Sequence, residues 1–150
     1  MENIGYLLGD RSRLLRRAFD ERVRALGVTG PQARLLFHLT RSEGENQGFY
    51  AEELDVEPIT LCRMVDRMEE AGMVERRPAP ADRRARQLFL TERSRTAIPA
   101  LRECVDQLLE DMLAGIGPNE RETFAQVLTT IGTNLGARRE NRDNKVLIDG

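Results

Sequence analysis

The sequence is poor in the residues that most enzyme and metal sites use. It contains two cysteines, Cys62 and Cys104, and a single histidine, His38. Two distant cysteines lack the short paired spacings of a structural zinc site, and they favour a reducing, intracellular setting over a disulfide framework. No Gly-x-Ser-x-Gly elbow and no glycine-rich phosphate loop occurs. The sequence therefore predicts neither catalysis nor a metal or cofactor.

Long apolar runs are missing as well. No stretch of about 18 uninterrupted apolar residues could cross a membrane, and the first residues lack the basic start and apolar run of a signal peptide. Hydrophobic residues make up 40% of the 150 positions and charged residues 32%. This balance is typical of a folded chain. We expect a cytoplasmic protein of one ordinary domain, with or without added interaction helices.

Lysine is nearly absent, because 22 of the 23 basic residues are arginines and the other is Lys145. The guanidinium fork suits bidentate contacts with phosphate and guanine, although genomic base composition would explain the same bias. The formal net charge of −2 argues against a nucleic-acid partner when it is taken as an average. Its distribution argues otherwise, since residues 76–95 carry seven arginines against two acidic residues, a net +5.

Residues 42–57 hold six acidic side chains and no basic one. Phosphate would repel such a run, so we expect most of it to face away from DNA or to tune specificity by exclusion. A metal site formed by these carboxylates is not expected. The acidic residues are Glu43, Glu45, Glu52, Glu53, Asp55 and Glu57.

Apolar residues repeat at a helical period along most of the chain. Gly27 is placed to end the first helix, and Pro31 lies near the start of the second. A kink is expected at Pro99, and the chain turns polar from Arg138 onward. The pattern predicts four long helices, over residues 3–26, 31–40, 92–115 and 119–138.

Two shorter helices are predicted over residues 49–54 and 58–71, joined by the tight turn 55–57. This is the helix-turn-helix pattern, in which the small side chain of Ala51 lets the helices cross closely. The period then changes to two over residues 73–76 and 87–90. An arginine- and proline-rich loop separates these two strands, which predicts a β-hairpin, or wing.

Three segments of this pattern resemble the MarR family of bacterial transcription regulators. They are Tyr50–Leu54, Thr60–Arg76, and the wing sequence Asp82-Arg83-Arg84 that leads to Leu88-Phe89-Leu90-Thr91. Asp55 stands where the family commonly has glycine, and Met68 replaces its usual leucine. Aspartate tolerates left-handed backbone angles, so the turn is expected to survive.

The resemblance implies a mainly α fold with a two-stranded β-wing. The winged helix-turn-helix DNA-binding domain would span residues 29–91. Long terminal helices, from residues 1–28 and 92–150, would form a dimerisation region. A twofold dimer would place two recognition helices in successive major grooves and bind a palindromic operator in double-stranded DNA. A monomeric bundle is the alternative to this dimer.

The second helix of the helix-turn-helix is the expected recognition helix. Leu61, Val65 and Met68 form its inward face. The positions left pointing outward are Ile59, Thr60, Cys62, Arg63, Asp66 and Arg67. Arg63 is the candidate for a guanine contact, Thr60 for a base edge or phosphate, and Ile59 for a thymine methyl group. The alternative for the arginines is a solvated helix face with a local Arg63–Asp66 pair.

The wing supplies the second set of candidate DNA contacts. Arg84 matches the family's wing arginine, and the resemblance gives Asp82 the task of bracing that arginine or the loop. The alternative is an ordinary charged surface loop. Arg76 and Arg77, at the base of the wing, are candidate phosphate contacts. The other wing candidates are Asp82, Arg83, Arg84 and Arg86.

The resemblance also implies a small effector, often an aromatic or phenolic acid, that releases a repressor from DNA. Arg16 and Arg17 are candidate anion partners, together with His38, for which a packed histidine is the alternative. A redox-responsive regulator using Cys62 or Cys104 is a second hypothesis, although small buried residues are the default for both cysteines. A protein-interaction adaptor that never binds DNA is a third.

Overall fold

The computed structural model describes residues 3–82 and 84–136, which form six helices and two strands. The helices are α1 (Ile4–Arg24), α2 (Gly30–Arg41), α3 (Gln47–Glu53), α4 (Pro58–Glu70), α5 (Glu92–Met112) and α6 (Pro118–Asn134). The strands are β1 (Val74–Pro78) and β2 (Arg86–Leu90). The predicted mainly α fold with a two-stranded wing is confirmed.

The connection from α1 to α2 is fixed by local chemistry. Gly27 has a φ of 86°, a left-handed angle that suits glycine. Thr29 and Gln32 then form a reciprocal capping box that satisfies backbone N–H groups at the start of α2. Gly30 must lack a side chain because a Cβ there would lie 1.6 Å from Oδ1 of Asp20. The α1 carboxylate and the first turn of α2 therefore pack directly on each other.

The helix-turn-helix consists of α3, a three-residue turn and α4. Asp55 has a φ of 51°, so the aspartate adopts the left-handed conformation expected of it. The Val56 N–H donates to the Ala51 carbonyl at 3.0 Å and closes the turn. Pro58 then starts α4, where its missing N–H costs nothing.

The wing is an antiparallel pair in which Val74 lies opposite Leu90 and Pro78 opposite Arg86. The strands reach Pro78 and Arg86 and so run further toward the loop than the sequence pattern indicated. The acidic loop before α3 adds to the same sheet, because Gly44 N–H donates to the Leu88 carbonyl and Leu88 N–H to that of Glu45. Part of the acidic run is therefore tied to the outer edge of β2.

One apolar core joins the helix-turn-helix, the wing and the first turns of α5. The predicted inward face of α4 is confirmed, since all three of its residues are buried. Leu35, which the helical pattern did not mark as inward, is also fully buried. The core residues are Val23, Ala33, Leu35, Leu36, Leu39, Tyr50, Ala51, Leu61, Val65, Met68, Val74, Leu88, Leu90, Ile98 and Leu101.

The chain divides into two compact units, one ending at Leu109 and the other beginning at Glu110. Helix α5 continues through Pro99. In the second unit, α6 has no buried residue, and its apolar side chains Phe124, Val127 and Leu128 are exposed. The division into a dimerisation region and a DNA-binding domain stays a prediction. Helix α6 ends at Asn134, with Leu135 as its C-cap, so it is shorter than the predicted helix over residues 119–138. The polar tail from Arg138 lies outside the described residues.

Candidate nucleic-acid interface

The outer face of α4 carries the predicted recognition residues. Ile59, Thr60, Arg63 and Arg67 are exposed, whereas Cys62 is half-buried. Ile59 is an apolar side chain with 59% of its surface exposed, near the N-terminus of the helix. The helical period therefore places four of the five candidates on an accessible surface, and it turns Cys62 partly toward β1.

Arg76, on β1, has a different environment from the one the sequence suggested. Its Nη1 lies 2.7 Å from Oδ1 of Asp66 and 3.4 Å from Oε1 of Glu69. Its Nε donates to Oε1 of Gln47 at 2.8 Å, and its Nη2 donates to the carbonyl of Cys62 at 3.1 Å. All three nitrogens of the guanidinium are therefore engaged within the protein.

The surroundings of Arg76 favour its charged form. Burial alone would lower the pKa of Arg76, but its hydrogen bond with Asp66 and the nearby Asp66 and Glu69 charges raise the pKa above the usual value. Only 15% of the side-chain surface is exposed. This geometry favours an internal brace over the phosphate contact predicted for Arg76.

Arg77, the next residue on β1, points to the opposite side of the strand and is exposed. Its guanidinium carbon lies 4.0 Å from the centre of the Phe89 ring, a cation–π contact across the wing. Its Nη2 also donates to Oε2 of Glu75 at 3.1 Å, and that hydrogen bond is the main cause of the raised pKa of Arg77. Arg77 is thus accessible but already paired.

The wing tip is shaped by Asp82. Its Oδ1 accepts a hydrogen bond from the Arg84 backbone N–H at 2.9 Å, and its carbonyl accepts one from Ala85 at 3.2 Å. This local turn agrees with the bracing task that the resemblance implied for Asp82. Arg84 and Arg86 are both exposed. Arg83 lies outside the described residues.

Four arginines are left available by these contacts. Within the part of the chain that the structure describes, none of them forms an ion pair or a side-chain hydrogen bond with another residue. They lie on the two elements that the sequence assigned to DNA, the recognition helix and the wing. They are Arg63, Arg67, Arg84 and Arg86.

Several supporting residues escaped sequence reasoning. The Glu43 carboxylate accepts from the Leu90 N–H at 2.8 Å, at the end of β2. Just beyond that strand, the Thr91 hydroxyl donates to the Gly72 carbonyl at 2.6 Å, and Arg93 donates to that of Ala71 at 2.9 Å. These contacts fix the wing to the end of α4. The acidic run contains no basic side chain, and this absence was the only sign in the sequence that its carboxylates pair with distant residues.

The effector candidates are not brought together as a set. Arg16 and Arg17 line a concave surface of about 550 Å³ along α1, but half-buried His38 is not among its lining residues. Arg34 lies close by, 3.7 Å from Asp20. Burial, and then the charge of Arg16, lower the pKa of Arg34. The region is therefore rich in positive charge, which Asp20 and Glu21 balance only in part.

A second cavity, of about 820 Å³, lies between the end of α2, the end of β2 and α5. Arginines and acidic side chains line it together with apolar Leu39, Leu90 and Ile98.

Both cysteines are free and half-buried. Among residues 3–82 and 84–136, no group of three potential metal ligands occurs and no helix is long and apolar enough to span a membrane.

The chain is similar to transcription regulators of known structure. The family model described as MarR family matches residues 26–85. Wild-type MarR from E. coli, in its apo form, is 23% identical with a TM-score of 0.80, over 87% of this chain and 97% of that one. The transcriptional regulator PA3341 is 33% identical with a TM-score of 0.77, over 89% of this chain and 98% of that one. CouR, a transcriptional repressor solved with a 23-mer DNA duplex, is 27% identical with a TM-score of 0.77, over 87% of this chain and 93% of that one.

Proposed function

Since the chain belongs to the MarR family of transcription regulators, we propose that it is a homodimeric, cytoplasmic repressor that binds a palindromic operator and leaves it when a small effector binds. MarR-family regulators are DNA-binding proteins without enzymatic activity.

The observation that carries the proposal is the pair of exposed arginine surfaces. Arg63 and Arg67 lie on α4, and Arg84 and Arg86 on the wing, all exposed. A recognition helix with free arginines suits guanine edges in the major groove. A wing tip with free arginines suits the minor groove and flanking phosphates. We therefore assign base contacts to α4 and backbone or minor-groove contacts to the wing.

Exposed apolar side chains on both terminal helices support a dimer. Ile4 and Tyr6 on α1 are more than half exposed, and Phe124 and Val127 on α6 are 47% and 48% exposed. On each helix, neighbouring exposed apolar side chains such as these are typical of a surface that a partner covers. A second copy related by a twofold axis would bury the same patches on both chains and place the recognition helices about 34 Å apart.

The arginine-rich surface along α1 supports an acidic effector. Arg16 and Arg17 line the concave surface, and the neighbouring Arg34 is partly desolvated. An aromatic or phenolic acid would supply the missing negative charge. If it bound more tightly when the recognition helices had the wrong spacing for the operator, it would lower DNA affinity by shifting that equilibrium. Repression would follow from occupancy of the promoter, and induction from its loss.

A titration with fluorescent DNA tests the proposal. We expect the wild-type protein to bind DNA from its own promoter far more tightly than random duplex at the same salt concentration, and aromatic acids to weaken that binding. Arg84→Ala should reduce the affinity severely, whereas Arg11→Ala, an exposed arginine on α1, should leave it unchanged. Equal affinity for promoter and random DNA, with no other genomic site enriched, would favour a protein-interaction adaptor instead.

A further inference from the structure

Arg76 joins the three elements that must act together in a winged helix-turn-helix. It belongs to β1, bonds to the side chain of Gln47 in α3, and bonds to α4 through Asp66, Glu69 and the Cys62 carbonyl. Its backbone N–H also donates to Oε2 of Glu69 at 3.0 Å. No other hydrogen-bonding side chain in the described part of the chain links these three elements.

The contacts of Arg76 also change the charge of the recognition helix. Asp66 and Glu69 are 56% and 42% exposed and lie on α4 beside Arg63 and Arg67. Two free carboxylates at that position would repel DNA phosphates. Pairing with Arg76 neutralises them in part and directs them toward the wing.

We propose that Arg76 is a positioning residue for DNA recognition: it locks α4 to the wing so that Arg63 and Arg84 engage DNA together, and it masks two carboxylates without touching DNA. This inference rests on the proposed function. It differs from the prediction made from sequence, in which Arg76 is a phosphate contact.

The shape of the guanidinium explains why arginine is needed there. Its three nitrogens reach Gln47 on one side and both Asp66 and Cys62 on the other. A lysine ammonium is a compact charge on a flexible stem and lacks this planar fork. Arg76→Lys would therefore keep the charge but lose most of the bracing geometry.

Salt dependence separates a brace from a phosphate contact. Each phosphate contact that is lost reduces the slope of log Kd against log salt by about 0.9. We expect Arg76→Lys, which keeps a positive charge beside Asp66 and Glu69, to weaken operator binding about tenfold or more, to leave binding to random DNA nearly unchanged, and to keep the wild-type slope. Arg76→Ala also unmasks the two carboxylates, so it should weaken binding to both DNAs and operator binding the more. Arg84→Ala, in contrast, should reduce the slope.

The comparison of operator and random DNA also controls for stability. A variant that merely unfolds would lose binding to both DNAs in proportion. Gln47→Ala removes one partner of Arg76 without changing any charge, so it should show the same pattern in milder form even where Arg76→Ala folds poorly. Combining Gln47→Ala with Arg76→Ala should add little further loss, because both changes remove the same contact.

Three results would overturn the inference. A reduced salt slope in Arg76→Lys, with equal losses on operator and random DNA, would make Arg76 a phosphate contact. Unchanged operator binding in both Arg76→Lys and Gln47→Ala would show that the brace is not needed. A wild-type protein that does not prefer its operator would remove the proposed function itself, and the inference with it. The first two results leave the proposed function intact.

Discussion

The carboxylate of Glu43 holds the guanidinium of Arg95 at 2.7 and 2.8 Å, although the two residues are 52 positions apart in the sequence. The same carboxylate accepts the backbone N–H of Leu90 at 2.8 Å. One acidic side chain thus connects the loop before α3, the end of the wing and the first turns of α5.

Replacing Glu43 with alanine should loosen this junction. We expect the free energy of unfolding to fall by about 1 kcal/mol, because the Leu90 N–H loses its partner while the exposed ion pair adds little. For a chain of this size the melting temperature should fall by about 3 °C, measured by circular dichroism. Glu43→Gln keeps an acceptor for Leu90 and should melt near the wild type. Identical melting of Glu43→Ala and wild type would contradict the assignment.

Asp82 should matter for DNA binding through its hydrogen bond rather than its charge. Asp82→Ala removes the acceptor that fixes the Arg84 backbone, and we expect affinity for the operator to fall about fivefold. Asp82→Asn keeps the side-chain oxygen and removes a negative charge, so its affinity should equal or exceed that of the wild type. Fluorescence anisotropy at fixed salt measures both. If the asparagine variant bound as weakly as the alanine variant, the charge would be the important property.

Gly30→Ala should destabilise the fold because the new Cβ would overlap Oδ1 of Asp20. We expect a loss of about 1 kcal/mol in urea unfolding, since the short aspartate side chain has to rotate away. Gly9→Ala is the matched control, because a Cβ there meets nothing within 4 Å and alanine favours the helix. Adding Asp20→Ala to Gly30→Ala should restore much of the loss. No restoration would mean that the strain lies elsewhere.

The stability of the fold at alkaline pH should depend on Tyr50. Its buried hydroxyl donates to the Ser42 carbonyl at 2.5 Å and accepts from the Glu45 N–H at 3.2 Å. Burial is the main cause of the raised pKa of Tyr50, with the charges of Glu45 and Glu43 adding to it, although the Glu45 hydrogen bond opposes the shift. The fold therefore favours the neutral phenol. The contribution of the neutral hydroxyl to the free energy of unfolding is complete below the pKa of tyrosine in the unfolded chain, about 10. It is lost as the pH rises through the pKa of Tyr50 in the folded protein.

Tyr50→Phe tests this dependence. Near neutral pH the variant should unfold at lower urea concentration, with a loss of about 1 kcal/mol. The difference from the wild type should shrink above about pH 10, where the wild type loses its own contribution. A difference of constant size from neutral to alkaline pH would contradict the prediction.

The exposed face of α6 should be needed for dimerisation. Because α6 has no buried residue, Val127→Asp should leave the chain folded while placing a charge in the proposed interface. We expect the dimer dissociation constant to rise at least about tenfold, measured by analytical ultracentrifugation. Gln126→Asp adds the same charge at the next position and serves as the control. If the Val127→Asp protein still had the mass of two chains at the lowest concentration where the wild type is a dimer, the interface would lie elsewhere.

Local patterns were sufficient to predict most of the fold. The spacing of Leu61, Val65 and Met68 identified the buried face of α4, and the backbone preference of Asp55 explained its turn. Such features depend on neighbours a few residues away, so they can be read from the sequence. The register of the wing and the added hydrogen bonds of the acidic loop depend on distant segments, and they could not.

The residues of the candidate site could likewise be predicted only in part from the sequence. Arg63 and Arg84 could be proposed from their positions on a helix face and in a loop. The different environment of Arg76 could not, because its partner Gln47 lies 29 residues away and was not marked by any pattern. The sequence predicts which arginines face DNA, but only the tertiary contacts distinguish a free guanidinium from an occupied one.

The contacts around the wing also protect its edges. Along β2, the Gly44–Glu45 backbone and the Glu43 carboxylate use the groups of Leu88 and Leu90 that a neighbouring strand would need. Along β1, Glu69 occupies the Arg76 N–H, and Pro78 has no N–H to offer. Exposed strand edges are templates for pairing between chains. If the wing reaches DNA as proposed, its covered edges would keep it from pairing with a strand of another molecule when several copies crowd on a promoter.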